Sequence, residues 1–347
     1  MTQPLSAVGR ALRALSDGES LGMDLTADAI AELMHGDATH TQMAALLMGL
    51  RARGETADEL AGAVQAMRQA MVRVPVTDPS VVDTCGTGGG LITTFNVSTA
   101  AALVAVGAGA RVAKHGNRSF TSRCGSADVI EALGIPLGLS AVAAARLLDV
   151  AGLTFLFAPA FHPAMRFAAP VRRELAVPTL FNIVGPLANP AGVRRQVVGV
   201  ADRARAPVLA ETLRRLGAEH ALVVHGTVGM DEISPCGLTE VWEIRASALS
   251  TWTIEPAAHG LEHAGVDGLA GGEPKENAAR LERLVEAPAR DAVGRAAAVL
   301  NAGAALYVSG LARGFKEGVA MAAAALDSGA AARALTQFRQ AAVSIAA

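Results

Sequence analysis

From Val81 onward, short apolar runs alternate with helical stretches, and few architectures accept that order. Val81-Val82-Asp83-Thr84-Cys85 reads as a strand entering a glycine loop, Ser98 to Val106 as the helix after it, and Arg111-Val112-Ala113 as the next strand. Ser126 opens another helix through Leu133, and Thr154–Phe157, Val197–Val200 and Ala221–Val224 read as further strands separated by helical stretches. Strands alternating with helices predict an α/β fold, its mostly parallel central sheet covered by helices on both faces. Ala289 to Leu311, opening just after Pro288, and Glu317 to Ala325 read as alanine-rich helices that pack closely.

The first seventy residues read as helices alone. Thr39-His40-Thr41-Gln42 fits a capping box, with Met43, Leu46, Leu47 and Leu50 at helical spacing after it and Gly54 as the stop. Thr56-Ala57-Asp58-Glu59 is a second box, followed by Leu60, Ala63, Val64 and Met67. Pro75 and Pro79 mark the exit. Residues 1–74 are therefore expected to form a small all-helical domain and 75–347 a larger α/β domain, a division that 347 residues allow.

Composition excludes several classes. The 30 Lys and Arg nearly balance the 32 Asp and Glu, so an extended nucleic-acid footprint is not expected. Three widely spaced cysteines indicate neither a disulfide framework nor a zinc site. The start of the chain lacks a signal pattern, and no apolar run is read as reaching the ~18 residues of a membrane span. The expectation is a soluble, cytoplasmic protein that binds neither membrane nor nucleic acid.

Two polar segments point to a ligand. Gly86-Thr87-Gly88-Gly89-Gly90 leaves a strand and leads, through Thr93-Thr94-Phe95-Asn96-Val97, into the helix at Ser98. Such a loop brings backbone N–H groups and a helix N-terminus to an anion. It is neither a Walker A loop nor GxGxxG, which weighs against nucleotide hydrolysis and dinucleotide binding. Ser98 and Thr99 are ordinary N-cap residues whose hydroxyls could also face a metal or phosphate. The second segment, Lys114 to Asp128, gathers three cations, a histidine, an amide and several hydroxyls around two glycines. A core element could not hide that much unpaired polarity, at about 1–3 kcal/mol per group. It is expected on a loop, either solvated or around a polyanion.

Together the glycine loop, Asn96-Val97-Ser98-Thr99 and the Lys114–Asp128 stretch resemble the anthranilate phosphoribosyltransferases of tryptophan biosynthesis. Gln42–Met48 with Arg51, Phe157–Met165, Pro170–Leu175, Phe181–Pro190, Met230–Ser234 and Leu300–Leu306 resemble further family segments, in family order. The resemblance implies transfer of phosphoribose from phosphoribosyl pyrophosphate to the amine of anthranilate, with release of pyrophosphate. It also implies a discontinuous helical domain joined by a middle segment near 162–190, a substrate cleft between the domains, and a homodimer through the helical domain.

By the same resemblance, Gly86, Gly89, Gly90, Thr94, Asn96, Val97, Ser98, Thr99, Lys114, His115, Gly116, Asn117, Arg118, Ser119, Phe120, Thr121, Ser122 and Ser126 would surround phosphoribosyl pyrophosphate. Arg172 would pair with the anthranilate carboxylate, with Gly86 and Asn117 beside the acceptor and His115, His162 and Met165 along its entry. A planar guanidinium suits a carboxylate, and Arg173, about 100° around the same helix, would face elsewhere. Asp231 and Glu232, with Ser98, would hold magnesium, a hard cation that prefers oxygen ligands. No acid–base residue is assigned, since an aryl amine is already neutral at pH 7.

One departure stands out. The family's loop usually reads Gly-Thr-Gly-Gly-Asp-Gly, whereas Gly90 and Leu91 occupy the last two positions here. An altered magnesium dependence is expected. Two rivals remain at this point: a pyrimidine nucleoside phosphorylase of similar architecture, and a silent paralogue binding nucleic acid. The intact Lys114–Arg118 and Val171–Glu174 segments argue against the first, and the balanced charge against the second.

Overall fold

The computed structural model describes residues 5–119 and 123–347. Helices α1 (Ala7–Ser16), α2 (Gly22–His35), α3 (His40–Arg53) and α4 (Ala57–Ala70) come first. Both expected capping boxes are formed: Thr39 and Gln42 close the start of α3, Thr56 and Glu59 that of α4. Gly54, with φ of 90°, ends α3. Glu59 also reaches Leu21 N–H and Arg53, so one buried carboxylate joins a cap to a neighbouring helix.

The α/β part opens with β1 (Val82–Gly86), α5 (Val97–Gly107), β2 (Val112–Gly116), α6 (Ser126–Ala132), α7 (Ala141–Ala151) and β3 (Leu153–Phe157). Three helices follow, α8 (Ala158–Phe161), α9 (Met165–Leu175) and α10 (Leu180–Val184), before β4 (Arg195–Gly199), α11 (Ala206–Arg215) and β5 (His220–Gly226). A hairpin of β6 (Thr239–Arg245) and β7 (Ala248–Ile254) precedes α12 (Pro274–Glu286), α13 (Ala292–Ser309), α14 (Phe315–Asp327) and α15 (Ala330–Ala346).

The strands form one sheet in the order β3-β2-β1-β4-β5-β6-β7. The first five are parallel and the last two antiparallel, so the sheet is mostly parallel as expected. The hairpin strands were not foreseen. β7 is an edge strand exposed along most of its length, so it carries no buried apolar face for a sequence pattern to reveal. Glu243 anchors the hairpin: it accepts from Tyr307 Oη at 2.7 Å and Trp252 Nε1 at 2.8 Å, and lies 2.9 Å from His220 Nε2.

Side chains alternate across the sheet, and the two faces feed different cores. Val197, Leu222, Val224 and Val241 belong to the core under α5 and α13, while Val198, Ala221, Val223, Trp242 and Ile244 join the core of the helical domain. α9 packs on α2 and α3, and α10 on α3 and α4, so the middle of the chain lies against its beginning. After β3 the chain crosses back to place β4 on the far side of β1. In open α/β sheets, ligands bind beyond the carboxyl ends of the strands at such a reversal.

Two expectations need correction. A short 3₁₀ turn, Pro288–Arg290, intervenes before α13, which Asp291 caps through Gly294 N–H, so the helix starts later than read. α13 is also, by length and composition, apolar enough to cross a membrane. Yet 83% of it is buried inside the protein, where it packs on α5, α14 and the sheet. Core burial rather than lipid accounts for its composition.

Candidate active site

The site is built on two glycines. Gly86 and Gly199 end β1 and β4 as register partners, beside the topological reversal. The Asp231 main chain crosses directly above: a Cβ on Gly199 would overlap the Asp231 carbonyl oxygen, and one on Gly86 would lie 2.5 Å from Asp231 Oδ2. Gly88 N–H donates to the same Oδ2 at 2.9 Å, and Thr87 N–H to Gly199 O at 2.9 Å. The glycine loop and the carboxylate segment are thereby joined. The N–H groups of Gly89 and Gly90 take no partner among the described residues and remain available to an anion.

Glu232 lies next to Asp231. Thr94 Oγ1 donates to its Oε1 at 2.9 Å, while its Oε2 is buried with no hydrogen-bond partner among the described residues. Burial pushes both carboxyls above the ordinary range, and the adjacent Asp231 drives Glu232 further up. A paired, partly unsatisfied set of hard oxygens of this kind fits a divalent cation. Among the described residues no third His, Cys, Asp or Glu joins the pair. That suits magnesium, which usually takes one or two carboxylates and completes its shell with water and substrate phosphate.

The α5 N-terminus lies alongside. Asn96, not Ser98 or Thr99, occupies the cap position, so Ser98 sits inside the first turn. Its Oγ accepts from Lys114 Nζ at 3.0 Å. Thr99 is buried with its Oγ1 unpartnered among the described residues, and Val97 packs into the core. Lys114 corrects the expectation of a loop: it lies within β2, 2% exposed, and its ammonium also donates to Thr84 O. The strand can hold this cation because Ser98 and Thr84 satisfy it; burial lowers its pKa and Asp83 opposes the shift. His115 and Gly116 complete the same strand.

Beyond β2, Asp128 organises the polar stretch. Its Oδ2 accepts from Gly125 N–H at 2.8 Å and Ser119 N–H at 3.1 Å, and its Oδ1 from Arg118 Nη1 at 2.9 Å. Arg118 also pairs with Glu131, so two carboxylates already balance its charge. Asn117 is exposed, and its carbonyl accepts from Ala127 N–H and Ser126 Oγ. Phe120, Thr121 and Ser122 lie outside the described residues. A relay through a distant helix fixes Asn96: Asn277 on α12 donates to Asn96 Oδ1 at 3.0 Å and accepts from Gly272 N–H at 2.8 Å.

Of the expected acceptor residues, Met165 and Arg172 lie on α9 and His162 just after α8, while Gly86 and His115 come from β1 and β2 and Asn117 from the loop after β2. Arg172 is half-buried and donates to Asn182 Oδ1 at 3.3 Å, whereas Arg173 is exposed, as their helical spacing requires. The His115 and His162 rings lie 5.1 Å apart. Each keeps a buried Nε2 with no partner among the described residues, and the nearby main chain of Gly185 and Ala188, respectively, opposes part of the effect of burial. Burial lowers their pKa values, to about 3 for His115 and about 4 for His162. His162 and Met165 line a small hollow with Met34, Met67 and Ala70.

Comparison with known proteins identifies the family. The family described as glycosyl transferase family, a/b domain, matches residues 78–332, and the corresponding helical bundle domain matches residues 10–71. The anthranilate phosphoribosyltransferase of Methylobacillus flagellatus is 47% identical over 337 residues, spanning 95% of this chain and 96% of that protein. The chain belongs to the anthranilate phosphoribosyltransferase family. The relative from Rubrobacter xylanophilus is 49% identical over 328 residues, covering 94% of this chain and 95% of its own. The anthranilate phosphoribosyltransferase structure from Thermus thermophilus superposes with a TM-score of 0.90 at 40% identity, covering 96% and 99% of the two chains. That from Saccharomyces cerevisiae, in complex with PRPP and Mg, gives 0.88 at 30% identity over 97% and 98%.

Against the family's loop, the Gly90 position is informative. A Cβ there would lie 3.1 Å from Gly229 O and 3.5 Å from Asp231 Oδ1, so the family's usual carboxylate would stand beside the Asp231–Glu232 pair. Sequence reasoning missed Gly199, Asn277 and Asn301 as parts of the site. Only Asn301 left a signal, as a lone amide in the apolar run Ala296 to Val308.

Proposed function

We propose that this protein transfers phosphoribose from phosphoribosyl pyrophosphate to the amine of anthranilate, giving N-(5-phosphoribosyl)anthranilate and pyrophosphate, in tryptophan biosynthesis. One observation carries the reading. The glycine loop, the α5 N-terminus and the Asp231–Glu232 pair converge at the carboxyl edge of the sheet, where strand order reverses.

The leaving pyrophosphate gathers negative charge while the anomeric carbon becomes positive, so the protein must stabilise the first and position the attacking amine. The N–H groups of Gly89 and Gly90 and the α5 N-terminus receive phosphate, with the Ser98 hydroxyl and the Lys114 ammonium beneath them. Asn96 and Thr94, held by Asn277 and Glu232, border the ribose side. Asp231 and Glu232, with Ser98, would hold magnesium, which when bound neutralises charge on the departing pyrophosphate. Arg172 receives the anthranilate carboxylate. The unprotonated His115 and His162 rings wall the acceptor path without competing for the amine's proton.

The likeness to proteins that bind PRPP, Mg and 4-fluoroanthranilate supports these assignments. We further infer a helical domain of residues 1–74 joined by the segment near 162–190, a homodimer through its outer face, and action in the cytoplasm. Loss of anthranilate fluorescence in the presence of phosphoribosyl pyrophosphate and magnesium tests the reaction. No consumption at any magnesium concentration would refute it.

A further inference from the structure

Asn301 is a polar interruption in a helix that is otherwise apolar from Ala296 to Val308, apart from the Tyr307 hydroxyl. It is 6% exposed. A buried amide costs about 1–3 kcal/mol for each group left unpaired, so its partners matter. Oδ1 accepts from Ile233 N–H at 3.0 Å, and Nδ2 donates to Ile233 O at 2.8 Å and to Ala297 O at 2.9 Å. One side chain thus takes both main-chain groups of one residue on a distant segment. The amide acts as a strand neighbour would, in a place where no strand lies.

The segment so held is the one that bears the carboxylates. Ile233 directly follows Asp231 and Glu232, and its side chain is fully buried. On one side the chain is pinned by the Gly226–Met230 bridge, on the other by Ser234 N–H donating to Thr239 Oγ1 at 3.0 Å. Between these pins, Asn301 is the side chain that fixes the backbone from α13. It also lines the same hollow as Ser98, Gly199, Asp231 and Glu232.

We infer that Asn301 is a positioning residue for the magnesium and phosphoribosyl pyrophosphate site: by clamping Ile233 it sets where the Asp231 and Glu232 carboxylates stand above Gly86 and Gly199. The inference rests on the function proposed above and adds a residue that touches no substrate. Partners one step removed from a metal ligand commonly change metal affinity by about 10–100-fold when lost. A purely architectural amide would instead lower stability and leave ligand affinities alone.

The test uses the full chain with Asn301→Ala, Asn301→Asp, Glu232→Ala and the Asn301→Ala/Glu232→Ala double variant. Calorimetry measures phosphoribosyl pyrophosphate binding in MgCl2, kinetics give the magnesium dependence and the anthranilate KM, and thermal unfolding reports folding. Asn301→Ala should raise the phosphoribosyl pyrophosphate Kd and the magnesium needed for half-saturation by about 10-fold or more, with little change in anthranilate KM. Asn301→Asp, which still accepts from Ile233 N–H but cannot donate to its carbonyl, should fall between. In the Glu232→Ala background, Asn301→Ala should add less than it does alone, because part of its effect runs through Glu232 and the rest through Asp231. A folded Asn301→Ala with lowered Tm but unchanged Kd and magnesium dependence would overturn the inference alone. So would failure of both Asn301 variants to fold, which would make the residue architectural. If Glu232→Ala itself leaves magnesium and phosphoribosyl pyrophosphate use unchanged, the reading of the carboxylate pair falls first, and the inference with it.

Discussion

The main-chain oxygen of Asp231 lies over Gly199, in space that any side chain there would claim. Gly86 meets the same residue differently, through the movable carboxylate oxygen Oδ2. The two glycines should therefore respond differently to a methyl group. Gly199→Ala should destabilise the protein by about 1–3 kcal/mol, as overpacking against backbone does, and also weaken phosphoribosyl pyrophosphate binding. Gly86→Ala should weaken binding with a smaller loss of stability. Urea unfolding and calorimetry on both variants would show it; equal losses of stability would contradict the distinction.

Gly90 lacks the carboxylate that the family's loop usually carries there. Gly90→Asp places a third carboxylate near Asp231 Oδ1, and like charges without a cation repel. The variant should melt lower than the parent in EDTA, gain more in Tm on adding magnesium, and show a shifted magnesium optimum. Identical magnesium titrations for the two proteins would show that the position is indifferent.

Arg172 is half-buried, and its one hydrogen-bond partner among the described residues is the neutral Asn182, so its charge is available to a carboxylate. Arg172→Ala should raise the anthranilate KM by about tenfold or more, the scale of a lost charge-assisted hydrogen bond, with little change in phosphoribosyl pyrophosphate KM. Arg173→Ala should leave both unchanged. Steady-state kinetics in both substrates separates the two arginines.

His115 and His162 are held neutral by burial, with pKa values of about 3 and about 4 against an ordinary 6.5. The unfolded chain takes up protons as pH falls through 6.5 while the folded protein does not. Their stabilisation is thus complete above pH 6.5 and is lost progressively as pH falls towards 4 and then 3. Between pH 7 and 5 this amounts to about 1–2 kcal/mol per group. Urea unfolding at a series of pH values should show the decline, and His162→Gln should flatten it.

The β6–β7 turn places two non-glycine residues, Ala246 at φ 47° and Ser247 at φ 68°, in left-handed backbone. That conformation favours Asn and Gly, and each misplaced residue costs about 1 kcal/mol. Ala246→Asn with Ser247→Gly should stabilise the protein by about 1–2 kcal/mol without altering kinetics, since the turn lies on the outer edge of the sheet. Thermal unfolding checks the first part and the fluorescence assay the second.

Wherever a local rule sufficed, the sequence was readable by itself. The capping boxes at Thr39 and Thr56 needed only their own four residues, and β1, β3, β4 and β5 showed as apolar runs because both of their faces are covered. The glycine loop and the Asp231–Glu232 pair were visible as residue types suited to phosphate and to a hard cation. β7 was not visible, since an exposed edge leaves no apolar pattern. Lys114 was misplaced onto a loop because its strand tolerates a buried cation only through Ser98 and Thr84, sixteen and thirty residues away. Local chemistry thus determined the helices, the inner strands and the family's motifs. Only the tertiary structure decided that Gly199 must lack a side chain, that Asn277 holds Asn96 and that Asn301 clamps Ile233. Each of these depends on a contact between chain segments that lie far apart in sequence, and no local pattern encodes such a contact.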